Sequence, residues 1–176
     1  MKIGMCSTVS CGKTTLVKAL AELPEFEGFH VATERSKYLR DLGIPLNNDS
    51  TLKGQFVFAA ERASELMHDT LLTDRTIWDV CAFTLKSTLI SDEQKKSFVN
   101  TAMLLKDEYD IVFYIYPDGV PIVDNGVRTI DPQYREEINQ TILNLLEMYP
   151  PKRLIKLRGT TEERISIVLD AIKQYL

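Results

Sequence analysis

The chain alternates short apolar runs with longer stretches in which apolar residues recur at helical spacing. The short runs are rich in β-branched and aromatic residues and end at glycine, proline or polar residues, a pattern typical of buried strands. They predict five strands, at residues 2–6, 29–32, 71–74, 110–116 and 153–157. The run at 110–116, DIVFYIY, has only β-branched and aromatic residues after its first position, which indicates a strand buried on both faces.

The longer stretches predict helices. They cover residues 13–21, a segment between residues 52 and 72, a segment from about residue 77, residues 92–106, residues 134–148, and a last helix whose apolar face carries Ile165, Val168, Leu169 and Ile172. Asp131 and Thr160 are predicted N-caps of the last two helices, and Pro132 stands at a first helical position.

Strands that alternate with helices favour an α/β fold. We expect a five-stranded parallel sheet with helices on both faces, and ligands beyond the carboxyl ends of the strands. The 176 residues are 44% hydrophobic and 26% charged, with no internal repeat and no linker, so a single domain over residues 1–176 is predicted.

Composition and charge narrow the function classes. No apolar run approaches the roughly 20 residues of a membrane-spanning helix, and no signal-peptide pattern occurs, so we expect a cytoplasmic protein with no membrane partner. Three cysteines without metal-ligand spacing indicate free thiols rather than disulfides or a zinc site. The formal net charge of −4 gives no broad attraction for polyanions, which disfavours binding to duplex nucleic acid.

One segment carries a specific chemical signature. Residues 7–14 read STVSCGKT and lie between the first predicted strand and the first predicted helix. A phosphate-binding loop needs inward backbone N–H groups, a glycine for a close turn, a lysine for the β- and γ-phosphate charge, and a hydroxyl for Mg²⁺. This context predicts nucleotide binding by Ser10, Cys11, Gly12, Lys13, Thr14 and Thr15.

The loop departs from the usual G-x-x-x-x-G-K-[ST] pattern at its first position, where Ser7 replaces glycine. Serine is small, and its hydroxyl is able to form a hydrogen bond within the turn. We therefore expect the loop to keep its shape, and the nucleotide affinity to be the property that changes. Cys11 lies at a helix N-terminus beside a lysine, an environment that lowers a thiol pKa; the alternative is a small residue that fits the loop.

Two acid–arginine pairs follow predicted strands. Glu34 and Arg35 come after the second strand, and Asp74 and Arg75 come at the end of the third. A carboxylate at such a strand end can hold Mg²⁺ or accept a proton from an attacking hydroxyl. For Glu34 and Arg35 the alternative is a solvated helix start, because glutamate is favoured in a first turn.

Two arginines accompany the loop after the fourth strand. Arg128 and Arg135 both lie in the segment DNGVRTIDPQYR. Arginines on a loop that closes over a transferring phosphoryl group neutralise its charge and help to exclude water. A solvated helix start is again the alternative.

In order and spacing, these motifs resemble the P-loop nucleoside and nucleotide kinases, most closely the AAA-type small kinases related to ribosylnicotinamide kinase, which have many phage-encoded members. The resemblance covers nearly the whole chain, through STVSCGKTTL, ATER, GQFVFAAERAS, LLTDRTIWDVCAF, YDIVFYIYP, DNGVR and LRGTTEER. It implies a three-layer P-loop NTPase fold with a lid at about residues 118–135. It also implies ATP and Mg²⁺ as co-substrate, and transfer of the γ-phosphoryl group to a nucleoside, a nucleotide or a similar small acceptor.

The resemblance implies roles for the motif residues. Lys13 neutralises the charge of the phosphates, and Thr14 and Asp74 bind the metal ion. Either Asp74 or Glu34 is the base that accepts the proton of the attacking hydroxyl. Arg128 and Arg135 are lid arginines with a catalytic role. Gly159 and Thr160 lie near the adenine, and Arg35 and Arg75 orient the acceptor.

Further acceptor contacts are predicted on the helices that border this pocket. Gln55 and Asp79 are placed to hydrogen-bond a base or a ribose, and Phe56 and Trp78 to stack on it; for the aromatics, ordinary helix packing is the alternative. The acceptor set is Glu34, Arg35, Gln55, Phe56, Arg75, Trp78 and Asp79. His30 and His68 have no partner at ligand spacing and are interpreted as structural or surface residues.

Other function classes use the same loop. A regulatory GTPase would carry an N-K-x-D motif, which this sequence lacks, and a mechanical ATPase would need paired acids where LLTDR has one. A kinase acting on DNA, at a hydroxymethylated pyrimidine or at a polynucleotide end, would use the same catalytic residues with the base flipped out. A non-catalytic nucleotide-binding protein would lack Asp74 or the lid arginines.

Overall fold

The structure is a computed structural model that describes residues 1–33, 35–117 and 131–175. A parallel sheet forms its centre, with the strand order β2-β3-β1-β4-β5. The strands are β1 (Lys2–Cys6), β2 (His30–Ala32), β3 (Leu71–Thr73), β4 (Ile111–Ile115) and β5 (Leu154–Leu157). All five predicted strands are present, and every residue of β4 is buried, as its apolar sequence predicts.

Helices connect the strands. They are α1 (Lys13–Ala21), α2 (Ser36–Asp41), α3 (Leu52–Glu65), α4 (Ile77–Lys86), α5 (Asp92–Ala102), α6 (Pro132–Met148) and α7 (Thr161–Ile172). The Asp131 side chain accepts a hydrogen bond from the backbone N–H of Gln133, and Thr160 accepts one from Glu163, which confirms both predicted N-caps. None of the helices in the described ranges is long and apolar enough to cross a membrane.

The sheet separates two apolar clusters. Leu16, Leu20 and Val168 place α1 and α7 on one face, whereas Trp78 and Ile138 place α4 and α6 on the other, together with α3 and α5. Burial on both faces explains why the central strands consist of nearly continuous apolar residues. The result is the predicted three-layer α/β architecture.

Four local differences separate prediction from structure. The predicted helix at 92–106 ends at Ala102 and continues as a 3₁₀ segment, Met103–Glu108. The tighter winding keeps Met103 buried while Leu104 is exposed, just before the chain enters β4. The helix predicted between residues 52 and 72 ends at Glu65. Helix α2 was not predicted from the sequence. Of the predicted lid, residues 118–130 lie outside the described residues, and residues 131–135 form the cap and first turn of α6.

The order in which the strands are connected indicates where a ligand-binding cleft lies. From β1 the chain moves to β2 and β3 on one side, and then crosses to β4 and β5 on the other. Parallel sheets bind ligands beyond the carboxyl ends of the strands where this change of direction occurs. Residues 7–12 follow β1 at that position, and Asp74 follows the neighbouring β3.

Gly4 allows the start of α4 to approach β1 closely. A Cβ atom at residue 4 would lie 2.6 Å from Cγ2 of Thr76 and 2.9 Å from the ring of Tyr109. Both distances are below normal van der Waals contact, so only glycine fits without a shift of these neighbours. Thr76 is the N-cap of α4, and the fit at Gly4 therefore helps to fix this helix beside the loop.

We expect Gly4→Ala to lower the free energy of unfolding by about 1–3 kcal/mol, because the added methyl overpacks a buried contact. Chemical denaturation followed by circular dichroism measures the change. In the Gly4→Ala background, Thr76→Ser removes the Cγ2 methyl but keeps the capping hydroxyl, and it should recover part of the loss. Equal stability of Gly4→Ala and the parent protein would contradict the steric argument.

Candidate active site

The loop at residues 7–12 has the backbone of an anion-binding turn. Ser10 and Gly12 adopt left-handed conformations, with φ of 57° and 75°. Turns of this kind form concave nests of backbone N–H groups, and the N-terminus of α1 follows immediately. A cavity at the loop is lined by residues 8–15 together with Asp74 and Arg75. The structure thus brings the predicted loop and the predicted acid–arginine pair together.

Thr14 and Asp74 meet at this cavity. The Thr14 hydroxyl donates a hydrogen bond of 2.5 Å to the Asp74 carboxylate, and Asp74 is fully buried. The backbone N–H of Asp74 donates to the carbonyl of Ala32, which ties the acid to the end of β2. A hydroxyl and a carboxylate are hard oxygen donors of the kind that Mg²⁺ prefers. These two residues therefore fit a magnesium ion.

The ammonium group of Lys13 is surrounded by three acceptors. Its Nζ lies 3.1 Å from the carbonyl oxygen of Ser7, 3.3 Å from the Ser7 hydroxyl and 3.4 Å from the Asp79 carboxylate. Asp79 is fully buried and also accepts hydrogen bonds from Thr76. Burial by itself raises the pKa of Asp79, but the charges of Lys13 and Arg75 and the Thr76 hydrogen bonds outweigh it and hold the pKa below its usual value.

Two arginines hold the loop from distant helices. Arg135, in the first turn of α6, donates to the carbonyl oxygens of Ser10 at 3.1 Å and Pro117 at 3.0 Å. Arg164 on α7 donates to the carbonyl oxygen of Cys11 at 2.9 Å. Arg135 therefore supports the loop through its carbonyls, and this contact differs from the predicted one, in which a lid arginine reaches the phosphoryl group.

The sequence prediction did not include Arg164. A signal was present, because Arg164 lies four and eight residues before Val168 and Ile172, on the apolar face of α7. An arginine on a buried helix face indicates a specific partner inside the protein.

Cys11 is buried beneath the loop. Its thiol donates to the Val9 carbonyl at 3.4 Å, and a guanidinium nitrogen of Arg135 lies 4.0 Å from its sulfur. Its burial agrees with the interpretation as a small residue that fits the loop.

Two of the predicted acceptor contacts are wrong. Trp78 is fully buried in the core, where its indole N–H donates to the carbonyl of Tyr149 at 2.9 Å, so its ring packs between helices and does not stack on a ligand. Asp79 points toward Lys13 and the loop rather than toward an acceptor. Both residues lie in the first turn of α4, whose burial the sequence pattern underestimated.

The other predicted acceptor residues are dispersed. Gln55 is almost completely buried in α3, with 3% of its surface exposed, which leaves it little surface for a ligand. Phe56 is half exposed and packs edge-on against Phe98, with ring centres 5.1 Å apart. Arg75 lines the loop cavity, and its guanidinium lies over the ring of Phe83.

Arg35 lines a second cavity, of about 420 Å³, between β2 and α3. It forms an ion pair with Glu61 at 3.5 Å. His30 and His68 line the same cavity and stack with ring centres 3.7 Å apart, and burial lowers the pKa of His30. The two histidines are thus partners of each other.

Gly159 and Thr160 form the entry to α7. Gly159 has a left-handed φ of 89°, and Thr160 caps the helix in a reciprocal arrangement with Glu163. Their predicted position near an adenine stays a prediction. Glu34 and Arg128 lie outside the described residues, and within the described ranges no cluster of three or more His, Cys, Asp or Glu forms a metal site.

Comparison with known proteins assigns the chain to a family. The family model described as an AAA domain matches residues 7–164. The chain belongs to this AAA domain family. No curated protein matches the sequence.

Solved structures share the fold of this AAA domain protein. Deoxyadenosine kinase from M. mycoides superposes with a TM-score of 0.67 at 17% identity, covering all of both chains. Thymidylate kinase from Candida albicans superposes with a TM-score of 0.68 at 18% identity, covering 98% of this chain and 91% of the kinase. The fold is therefore the α/β fold of P-loop nucleotide kinases, as predicted.

We expect Arg164→Met to weaken the binding of Mg²⁺-ADP about tenfold, because the Cys11 carbonyl loses its donor and α7 no longer fixes the loop. Isothermal titration calorimetry measures the affinity. Arg40→Met is the matched control, since Arg40 lies on the surface of α2 and pairs with its neighbour Asp41. Equal affinities of Arg164→Met and the parent protein would contradict the supporting role.

Proposed function

We propose that this AAA domain protein is a kinase that uses ATP and Mg²⁺ to phosphorylate a nucleoside, a nucleotide or a similar small acceptor. The observation that carries the proposal is the contact of Thr14 with the buried Asp74 beside the phosphate-binding loop. The structural likeness to kinases named for deoxyadenosine and thymidylate supports it.

The loop serves the nucleotide. Backbone N–H groups of residues 8–13 bind phosphate oxygens, and Lys13 neutralises the β- and γ-phosphates. Thr14 and Asp74 would hold the magnesium ion, which would supply positive charge at the phosphates. Gly159 and Thr160, at the end of β5, border the adenine.

Asp74 also acts as the base for the hydroxyl group of the acceptor. It follows β3 at the cavity that Arg75 lines, so its carboxylate is close to both the phosphate site and an incoming hydroxyl. It would take the proton of the attacking hydroxyl, while Arg75 orients the acceptor. Glu34 is the competing base, and Arg35 is a second orienting residue.

Finer points extend the proposal. Within the P-loop kinases we place the protein nearest the ribosylnicotinamide kinase-like group with phage-encoded members. We also propose that residues 1–176 form one domain, and that a lid over about residues 118–135 carries Arg128 to the phosphoryl group. The proposed location is cytoplasmic, and it is the host cytoplasm if a phage encodes the protein. DNA as the acceptor is the alternative.

An acceptor panel tests the proposal. ATP consumption with Mg²⁺ is measured with ribo- and deoxynucleosides, their monophosphates, nicotinamide riboside, and single- and double-stranded DNA with and without hydroxymethylated pyrimidines. Stimulation by one small acceptor, with a phosphorylated product, is the expected result. Stimulation by DNA alone would establish the alternative, and acceptor-independent ATP hydrolysis would overturn both.

We expect Asp74→Asn to lower kcat about 100-fold or more with the best acceptor, because asparagine neither accepts the proton nor binds Mg²⁺ as strongly. Asparagine keeps an oxygen for the Thr14 hydrogen bond, so the fold should persist. Asp92→Asn, at an exposed position on α5, is the control and should leave kcat unchanged. An unchanged kcat in Asp74→Asn would transfer the base role to Glu34.

A further inference from the structure

Acceptors within the protein satisfy the Lys13 ammonium group. An ammonium group has three donors and no acceptor. The three acceptors around Lys13 are the Ser7 carbonyl, the Ser7 hydroxyl and the Asp79 carboxylate. The side chain of Lys13 is 9% exposed and that of Asp79 is fully buried, so water contributes little to this site. One acceptor is thus available for each donor, and a phosphate must displace one of them.

The Ser7 hydroxyl is oriented toward the lysine. It donates its own proton to the carbonyl of Thr8 at 3.1 Å, which directs its lone pairs toward Lys13. Ser7 is fully buried, so its hydroxyl has no access to bulk solvent. Glycine at this position would leave the carbonyl contact in place and remove only the hydroxyl. The hydroxyl is therefore the acceptor that distinguishes this loop from one that begins with glycine.

Hydrogen bonds from other residues fix the Asp79 carboxylate beside the Lys13 ammonium group. The backbone N–H and hydroxyl of Thr76 donate to one carboxylate oxygen at 2.9 and 2.6 Å. The other oxygen contacts Lys13 and accepts the backbone N–H of Ser7 at 3.3 Å. The carboxylate thus links the first residue of the loop to the first turn of α4, and its position does not depend on the lysine alone.

We propose that Ser7 and Asp79 form a resting site that retains the Lys13 ammonium before a nucleotide binds, and that nucleotide phosphates bind by displacing it. This inference rests on the proposed function, since it requires a nucleotide at the loop. Ser7 then acts as a positioning residue that lowers nucleotide affinity through Lys13. Loss of either resting acceptor frees one lysine donor for a phosphate.

The test measures Mg²⁺-ADP affinity by isothermal titration calorimetry, independently of turnover. Ser7→Ala removes one acceptor and keeps the Cβ, and we expect binding about five- to tenfold tighter than in the parent protein. Ser50→Ala is the matched control. It removes another fully buried hydroxyl, one that has no hydrogen-bond partner within the described part of the chain, and it should leave the affinity unchanged.

Asp79→Asn supplies a second, independent measurement. Asparagine keeps an oxygen for Thr76 but loses the charge that faces Lys13, so binding should again tighten. Because one freed donor suffices for a phosphate, the double variant Ser7→Ala, Asp79→Asn should bind less tightly than the sum of the two single effects predicts. Denaturation curves of each variant identify any loss of folding, and the Ser7→Ala result stands alone if Asp79→Asn unfolds.

The outcomes separate this inference from the proposed function. Equal or weaker binding by Ser7→Ala would overturn the resting site, while ADP binding by the parent protein would leave the kinase proposal intact. Binding by Ser7→Ala but not by the parent protein would support the resting site strongly. Absence of binding in both proteins would overturn the resting site and the kinase proposal together.

Discussion

A loop that turns its N–H groups toward a phosphate must turn carbonyl oxygens toward the protein, and each buried carbonyl needs a donor. In this chain the five carbonyls of residues 7–11 all have one. The donors are, in order, Lys13 Nζ, the Ser7 hydroxyl, the Cys11 thiol, and the guanidinium groups of Arg135 and Arg164. The carbonyl of Gly12 begins the hydrogen bonding of α1. Two of these donors, Arg135 and Arg164, reach the loop from other helices, so the position of the loop depends on them as well as on its own side chains.

These donors couple the site to the whole fold. Arg135 is 125 residues from Ser10 in the sequence, and Arg164 is 153 residues from Cys11. Strand β1 therefore delivers the loop, but α6 and α7 fix its shape after the chain has returned from β4 and β5. Gly4 makes a similar contribution from the other side, since its missing side chain lets Thr76 approach and bring Asp79 to the lysine. The site is thus assembled from both ends of the chain.

Features that depend on residues close together in the sequence were predicted correctly, whereas features that depend on contacts between distant segments were not. The strands and the caps at Asp131 and Thr160 depend on neighbouring residues, and their patterns were sufficient to predict them. The loop was recognised from its local motif, although donors on α6 and α7 also hold its shape. The resemblance to P-loop kinases implied that Thr14 and Asp74 bind one metal ion, and the structure brings the two side chains into contact. Trp78 and Asp79 were misassigned, because their burial depends on how closely α4 packs on β1, and the sequence of α4 does not contain that distance. Arg164 lies on the apolar face of α7, which was a local signal, but its partner, the Cys11 carbonyl, is 153 residues away in the sequence.

A buried carboxylate that loses its only counter-charge is strongly destabilised, so a lysine that must move to a phosphate needs a partner that tolerates its departure. Asp79 meets this condition. Without the lysine it would keep two hydrogen bonds from Thr76 and one from the backbone of Ser7, and Arg75 would remain as a nearby positive charge. The charge of Lys13 is the largest of the effects that lower the pKa of Asp79, and the charge of Arg75 and the Thr76 hydrogen bonds, which would remain, also lower it. The exchange of Lys13 between carboxylate and phosphate therefore leaves the Asp79 carboxylate with hydrogen-bond partners.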